Sequence, residues 1–308
     1  MTADSSGSAG VISGGTISGK AKIAGVMGWP IGHSRSPRLH GFWLRQYGID
    51  GAYVPLAVAP ERAEQAIRAL PALGFRGCNV TVPLKEIAFR TVDRLDGTAR
   101  RMGAVNTIVV GDDGALEGGN TDGFGFIENL RAEQPDWTAE RGPAVVIGAG
   151  GAARAVVVAL LDAGAPEVRL VNRTRARAEE LAADLAAVGL NGAGLNGGVT
   201  VVDWVSRETA LDGASLLVNT TTQGMAGQPA LDLCLRALPA SAVVNDIVYV
   251  PLETPLLAEA KARGNPVAGG IGMLLHQARP GFKAWFGVEP QVTPDLVRFV
   301  LARFVPEG

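Results

Sequence analysis

The chain has 308 residues, 47% hydrophobic and 19% charged, a composition that excludes wholesale disorder and exceeds a single core of about 100 to 200 residues. Lys plus Arg number 28 against 30 Asp plus Glu, a net charge of −2 without any long basic block, which excludes nucleic acid binding by bulk electrostatics. Two cysteines, Cys78 and Cys234, make neither a disulfide framework nor a zinc ligand set, and no apolar run approaches the roughly 18 residues of a membrane span.

Residues 1–18 are rich in Ser, Gly and Thr, too poor in large apolar groups to offset ordering entropy, and predict a disordered tail. No basic residue precedes Lys20 and no apolar core follows one, so no signal peptide is expected and the protein reads as soluble and cytoplasmic. From Lys22 strands and helices alternate: a strand Lys22 to Met27, a helix from Pro37 to Tyr47, a strand Ala52 to Val58, a helix Pro60 to Leu70 and a strand Gly77 to Val82. That alternation implies a parallel sheet. Asp112, Asp113 and Gly114 turn a hairpin between Thr107 to Val110 and Ala115 to Gly118, and a helix follows Asp122.

Asp136 to Pro143 reads as a connection into a second unit, a βαβ made of the buried strand Ala144 to Ile147, a helix through Leu161 and a strand Val168 to Asn172. Further strands are expected at Val199 to Asp203, Leu216 to Asn219, Ala242 to Ile247 and Pro266 to Ala268, with a low-complexity loop at Asn191 to Gly198. Beyond Gly269, helices Met273 to Phe286 and Pro294 to Phe304 have no strand partners left.

The fold class is therefore α/β, in two units joined near Asp136 to Pro143.

Between the strand Ala144 to Ile147 and its helix stand Gly148, Ala149, Gly150, Gly151, Ala152 and Ala153, which fit G-x-G-x-x-A. Gly148 serves the tight turn, Gly150 lets a pyrophosphate approach the backbone, and Ala153 permits close packing of helix on strand. The following helix N-terminus faces the phosphates. The next strand closes on Asn172, Arg173 and Thr174, then Arg175 and Arg177, without an acid. A carboxylate there would accept a ribose 2′-hydroxyl, whereas guanidinium groups pair with a 2′-phosphate, so NADP is the predicted cofactor. Thr174 doubles as a candidate helix N-cap, with Arg175 and Arg177 as solvated helix surface.

Ser34 and Ser36 lie beside the start of the helix begun by Pro37; Ser36 reads as its N-cap. Two hydroxyls and free helix N–H groups suit a carboxylate, hence a small organic acid. Alternation puts Asn79 and Thr81 on one face, with Lys85 past the strand end, where open α/β sheets bind ligands. Asn106 in GAVNT and Asp122 in NTDGFGF complete a set of polar groups at otherwise apolar strand ends, although Asp122 also fits a helix cap. His33, His40 and His276 lack ligand spacing with acids or cysteines, so no metal site is expected.

Taken together these segments resemble the shikimate dehydrogenase family. The resemblance spans roughly Lys22 to Phe286 and rests on GVMGWPIGHSRSPRLH, GCNVTVPLK, GAVNT, GNTDGFGF, VIGAGGAAR, VNRT, NTTTQGM, DIVYVPLETPLL and GGIGMLLHQA, in order and at the right spacing. It implies reduction of 3-dehydroshikimate to shikimate with NADPH on the route to aromatic amino acids. It also implies a two-domain α/β fold, an N-terminal substrate domain completed by C-terminal helices and an inserted Rossmann-type NADP-binding domain. The boundaries so implied are a disordered tail at 1–18, a substrate-binding and catalytic part at 19–122, the nucleotide domain at 123–268 and the returning helices at 269–308. By the same likeness Ser34, Ser36 and Thr81 would hold the substrate carboxylate, and Asn79, Asn106, Asp122 and Gln277 would bind ring hydroxyls. Lys85 and Asp122 would form the catalytic pair, and Tyr249 would border substrate and nicotinamide. Thr221, Gly270 and Met273, in two of the matching stretches, join the glycine turn and Asn172, Arg173, Thr174 and Arg177 as expected cofactor contacts.

Gly41 stands where the family usually carries Asn after the motif His, a departure that leaves Ser34 and Ser36 in place. Quinate dehydrogenases share most of the template, so a quinate or broader polyol-acid dehydrogenase is the alternative enzyme. From another class the alternative is a non-catalytic NADP-binding sensor, against which the retention of Lys85 and Asp122 speaks. A methyltransferase is disfavoured, because S-adenosylmethionine offers Arg173 no anionic group. The expected partner is a small molecule only, with no nucleic acid and no membrane, on a monomer or homodimer whose lobes close about Gly123 and Gly269.

Overall fold

The computed structural model describes residues 17–189 and 197–302. Most of the predicted tail, all but two residues of the loop Asn191 to Gly198, and the end of the last predicted helix at Phe304 lie outside the described residues. Ser18, from the tail, is described, and its backbone N–H donates to the Asp50 carboxylate at 3.2 Å.

The first lobe runs β1 (Lys22–Gly28), α1 (Ser36–Gln46), β2 (Gly51–Ala57), α2 (Ala63–Ala69), β3 (Phe75–Val80), α3 (Lys85–Thr91), β4 (Arg94–Leu95), α4 (Gly97–Met102), β5 (Thr107–Val110) and β6 (Leu116–Gly119). Its sheet has the order β2-β1-β3-β5-β6-β4. β1 pairs in parallel with β2 and β3, but β3 meets β5 antiparallel, with Asn79 opposite Thr107. The parallel pairing expected of the strands between Lys22 and Val82 is present, and the expected hairpin β5–β6 docks its first strand against β3 in the opposite sense, which makes the sheet mixed.

After α5 (Asp122–Glu133) comes the second lobe: β7 (Ala144–Ile147), α6 (Gly151–Asp162), β8 (Glu167–Val171), α7 (Arg175–Ala187), β9 (Gly198–Val202), β10 (Leu216–Asn219), β11 (Val243–Asp246), α8 (Pro255–Ala262) and β12 (Val267–Ala268). Its sheet is parallel throughout in the order β12-β11-β10-β7-β8-β9, so the strand order reverses beside β7. Strands buried on both faces need continuous apolar runs, as AVVI in β7 and LLV in β10 supply.

The chain then returns through α9 (Ile271–Phe286) and α10 (Pro294–Leu301). Phe282, Trp285 and Phe286 of α9 pack with Leu39 and Trp43 of α1 against the first sheet, and the Trp285 indole N–H donates to the Ile108 carbonyl at 3.0 Å. The other face of that sheet is covered by Ile67, Leu84 and Ala88. α5 lies between the lobes, its Phe126, Ile127 and Leu130 buried with α6. At Gly125 a Cβ would come within 2.6 Å of the Met273 carbonyl and the Gln277 Cβ, so only glycine lets α5 and α9 approach this closely. Among the described residues no helix is long and apolar enough to cross a membrane, and no group of three or more His, Cys, Asp and Glu could hold a metal ion.

Candidate active site

One cavity of about 250 Å³ gathers side chains from both lobes. His33, Ser34 and Ser36 come from the turn after β1 and the start of α1, Asn79 from β3, Thr81 from the turn beyond it, Lys85 from the first turn of α3, Asn106 from before β5, and Asp122 from the start of α5. The second lobe adds Ile247 and Tyr249 from beyond β11, and α9 supplies Gly270, Met273, Leu274 and Gln277. Every residue expected to bind or turn over a substrate lines this one space. Gly270 and Met273, expected at the cofactor, line it too.

Two local readings are corrected. Ser36 is the first residue of α1 and Arg35 occupies the cap position without a side-chain cap bond, because the Ser36 N–H donates instead to Ser34 Oγ at 3.3 Å. Asp122 does not cap α5 either, since Thr121 precedes it and the carboxylate is engaged elsewhere.

Asp122 Oδ2 receives the Lys85 ammonium at 2.5 Å and Asp122 Oδ1 receives the Asn106 amide at 2.7 Å. The side chains of Lys85 and Asp122 are 27% and 18% exposed, enough to reach a bound molecule and too little for free rotation in water. A directed series of bonds extends behind them. Thr107 Oγ1 donates to Asn106 Oδ1 at 2.9 Å, Asn79 Nδ2 donates to Thr107 Oγ1 and to the Asn106 carbonyl, both at 3.1 Å, and the Tyr53 hydroxyl donates to Asn79 Oδ1 at 2.7 Å. Both amide hydrogens of Asn79 are consumed, so what it can offer a ligand hydroxyl is its remaining oxygen lone pair. Thr121 adds its N–H to Asn106 Oδ1 at 2.9 Å.

Burial raises the Tyr53 phenol well above its ordinary range, opposed by a hydrogen bond with Ser36, so the hydroxyl remains a donor. Beneath it lies His40, its ring stacked on Tyr53 at 3.9 Å and 6°. His40 is fully buried, neither ring nitrogen has a partner, and burial drives its pKa down to about 3. Burial likewise pushes the Cys78 thiol up, which leaves it an inert core group.

The second lobe carries a different kind of surface. A neighbouring cavity of about 420 Å³ is lined by Gly148, Ala149, Gly150, Asn172, Arg173, Arg177, Trp204 and Thr221 among others. Gly148 has φ +117°, open to glycine and costly for any other residue, and a Cβ at Gly150 would meet nothing within 4 Å, leaving room for an anion against the backbone. A third cavity of about 550 Å³ runs from Lys85 and Asp122 past Ala149, Gly150 and Gly151 to Arg154 and Arg177, so that pair and the glycine turn share one continuous cleft. These residues fit a dinucleotide with a 2′-phosphate.

Not every expected cofactor residue faces that space. Ala152 and Ala153 line none of the cavities; Ala153 is fully buried in the helix–sheet contact, which is the packing role expected of it. Thr174 presents its carbonyl to Asn172 Nδ2 at 2.8 Å and sits at the cap position of α7 without a side-chain cap bond. Arg175 is paired with Glu179 and Asp203, whereas the guanidinium groups of Arg173 and Arg177 line the cavity with no ion pair among the described residues.

Sequence reasoning missed Tyr53 and Thr107, and also the braces beneath the second-lobe loops. Asp246, fully buried at the end of β11, accepts from Thr254 Oγ1 at 2.7 Å, from the Val248 N–H at 3.0 Å and from Asn219 Nδ2 at 3.0 Å. Burial raises its carboxyl above the ordinary range while those bonds oppose the rise. Asn219 in turn fixes Thr221 through its oxygen, 3.0 Å to the N–H and 2.8 Å to the hydroxyl. The signal was present: β10 closes on Asn219 after an apolar run, and β11 closes on the polar pair Asn245 and Asp246.

The family described as shikimate dehydrogenase substrate binding domain matches residues 26–108, and the one described as shikimate / quinate 5-dehydrogenase matches residues 132–202. A protein named shikimate dehydrogenase (NADP(+)) from Paramagnetospirillum magneticum is 65% identical over 93% of this chain and 100% of its own length. One of the same name from Rhodospirillum rubrum is 61% identical over 93% and 99%. Among solved structures, shikimate 5-dehydrogenase from Thermus thermophilus in complex with NADP(H) and shikimate is similar with a TM-score of 0.77 and 36% identity, covering 91% of this chain and 98% of that one. Quinate dehydrogenase from Corynebacterium glutamicum in complex with NAD is similar with a TM-score of 0.81 and 29% identity, covering 91% and 97%.

Proposed function

The chain belongs to the shikimate dehydrogenase family, and we propose from that premise that its cleft reduces 3-dehydroshikimate to shikimate with NADPH, the reaction being reversible. It is an NADP-dependent oxidoreductase of aromatic amino acid biosynthesis. The observation that carries the reading is the Lys85–Asp122 pair, 2.5 Å apart, opening into a cavity that holds two serine hydroxyls on one side and Tyr249 of the nucleotide lobe on the other.

Ser34, Ser36 and Thr81 would hold the substrate carboxylate beside the N-terminus of α1, whose dipole favours an anion. Asn79, Asn106, Asp122 and Gln277 would meet the ring hydroxyls, Asn79 as an acceptor only. The Gly148 to Gly151 turn, Asn172, Arg173, Arg177 and Thr221 would hold NADP, with Met273, Gly270 and Tyr249 bordering its reactive end. Bound there, the reduced nicotinamide supplies the hydride. The chain's own task is the proton: negative charge grows on the carbonyl oxygen, and the Lys85 ammonium, aimed by its bond to Asp122, donates to it. In the oxidation direction Asp122 shares the proton released by the substrate hydroxyl, so the pair acts as one unit.

The proposed boundaries are 19–122, 123–268 and 269–308, a division that the two separate sheets and the packing of α9 with α1 support. Cleft closure about Gly123 and Gly269 would bring the two lobes' contributions together, and the active unit is read as a monomer or homodimer. Two free thiols suit a reducing cytoplasm. Steady-state assays of shikimate and quinate, each with NADP⁺ and NAD⁺, test the function. Shikimate with NADP⁺ is expected to give the highest kcat/KM; a preference for quinate with NAD⁺ would assign the chain to the alternative enzyme, and no turnover of any pair would leave a nucleotide sensor.

A further inference from the structure

The 2′-phosphate and the glycine turn account for the charged parts of the dinucleotide, and no residue considered so far accounts for its purine. The cavity that holds Arg173, Arg177 and Thr221 contains one large aromatic side chain, Trp204. It opens the short 3₁₀ turn Trp204–Ser206, which follows β9, and β9 runs parallel beside β8, whose end carries Asn172 and Arg173. A nucleoside whose ribose sits at the end of β8 has its base directed toward the end of β9 or back over β10, and the indole stands on the first of these walls.

Trp204 is also braced. The Arg207 guanidinium lies 4.9 Å from the centre of its ring. Arg207 is held in turn by its Nε to the Asp232 carbonyl at 2.8 Å, by Nη2 to Asp232 Oδ2 at 2.9 Å and by Nη1 to the Trp204 carbonyl at 3.1 Å. Three bonds and a side chain only 17% exposed fix a cation against one side of the indole. The ring cannot turn toward that side, so the surface it lends to the cavity is preset before any ligand arrives. Trp204 is only partly buried where it packs against the second-lobe core, which leaves part of its surface to the cavity.

We infer that Trp204, held by Arg207 and Asp232, is the stacking platform for the adenine of NADP. This deepens the cofactor reading and rests on it. Stacking of a base on an aromatic side chain is worth about 1–3 kcal/mol, roughly 5- to 150-fold in affinity.

The test uses adenosine 2′,5′-bisphosphate, which carries purine and 2′-phosphate without nicotinamide, titrated by calorimetry and by tryptophan fluorescence excited at the red edge. Trp204→Ala is expected to weaken the bisphosphate about tenfold and to raise the KM for NADPH by the same factor while kcat and the KM for shikimate stay as in the parent. Trp204→Phe is expected to restore affinity to within a few-fold and to abolish the ligand-induced quench, because the reporting indole is gone. That second variant keeps the fold question separate from the binding question. Unchanged affinity in Trp204→Ala, or an undiminished quench in Trp204→Phe, overturns the platform. The premise fails differently: a parent enzyme that does not bind the bisphosphate at all removes the NADP reading itself, and the platform with it. If the parent binds, Arg173→Ala loses affinity and Trp204→Ala does not, the phosphate site stands and only the platform falls.

Discussion

The two walls of the cleft are built on opposite plans. On the first-lobe wall almost every polar atom is committed before a ligand arrives: Tyr53, Asn79, Thr107, Asn106, Asp122 and Lys85 form one directed series in which each donor has its acceptor. On the second-lobe wall the cations that matter, Arg173 and Arg177, stand exposed without an ion pair among the described residues, over a glycine turn that offers backbone rather than side chains. Proton transfer needs groups that are already oriented, because reorienting them during the reaction would add to the barrier. Recognition of a phosphate needs open forked donors whose partner arrives with the ligand. Damage to the first wall should therefore fall on kcat, and damage to the second on cofactor affinity alone.

The largest effect expected is that of Lys85→Ala, a fall in kcat of about 10² to 10⁴-fold with NADPH affinity unchanged by equilibrium titration; a kcat near the parent's would take Lys85 out of the chemistry. Next comes Arg173→Ala. A charge-assisted bond is worth about 1.5–3 kcal/mol, so NADPH affinity should fall roughly 10- to 100-fold while NADH affinity and kcat at saturating cofactor barely move. Equal weakening of both cofactors would erase the contrast between the walls.

Much of this contrast is visible in the residue order, and the part that is not has a physical reason. Glycine turns, strand-end polar groups and an absent acid are local features, so Gly148, Asn79, Lys85 and Arg173 can be read one segment at a time. Hydrogen-bond direction is not local. Thr107 meets Asn79 only because β5 docks antiparallel on β3 in that register, and Tyr53 reaches the site because β2 lies one strand away across β1. The hairpin itself is legible from Asp112, Asp113 and Gly114, but the strand it docks on, and in which sense, is not. The first-turn helix α3, hidden by the single turn TVPLK, likewise makes Lys85 a helix N-terminal residue rather than a loose one beyond a strand.

The base of the first wall gives a third, smaller effect. His40 is neutral in the fold with a pKa of about 3 against an ordinary 6.5 when unfolded. Between those values the unfolded chain binds the extra proton, so the stability this group contributes is complete above pH 6.5 and is lost as pH falls toward 3. From pH 7 to pH 5 the loss amounts to about 2 kcal/mol. His40→Phe keeps the stack on Tyr53, removes two unpaired buried nitrogens, and should flatten the acid limb of denaturant-derived stability by that amount. An acid limb as steep as the parent's would mean that His40 is not the group being titrated.

Tyr53→Phe carries the smallest effect and the sharpest test of the comparison. It deletes one hydroxyl at the far end of the series and leaves the ring, its stack on His40 and its place in the core. Asn79 Oδ1 then loses its donor, and only the two bonds from Nδ2 to Thr107 and the Asn106 carbonyl still hold the amide. If the series orients Asp122, the loss of one neutral bond, about 1 kcal/mol, should appear as a fall of roughly fivefold in kcat, with the KM for NADPH unchanged. Were the bonds merely structural, the same substitution would lower stability by a similar amount and leave kcat where it was. Measuring kcat beside denaturant unfolding separates the two, because only an orienting series passes a change at Tyr53 on to the Lys85 proton.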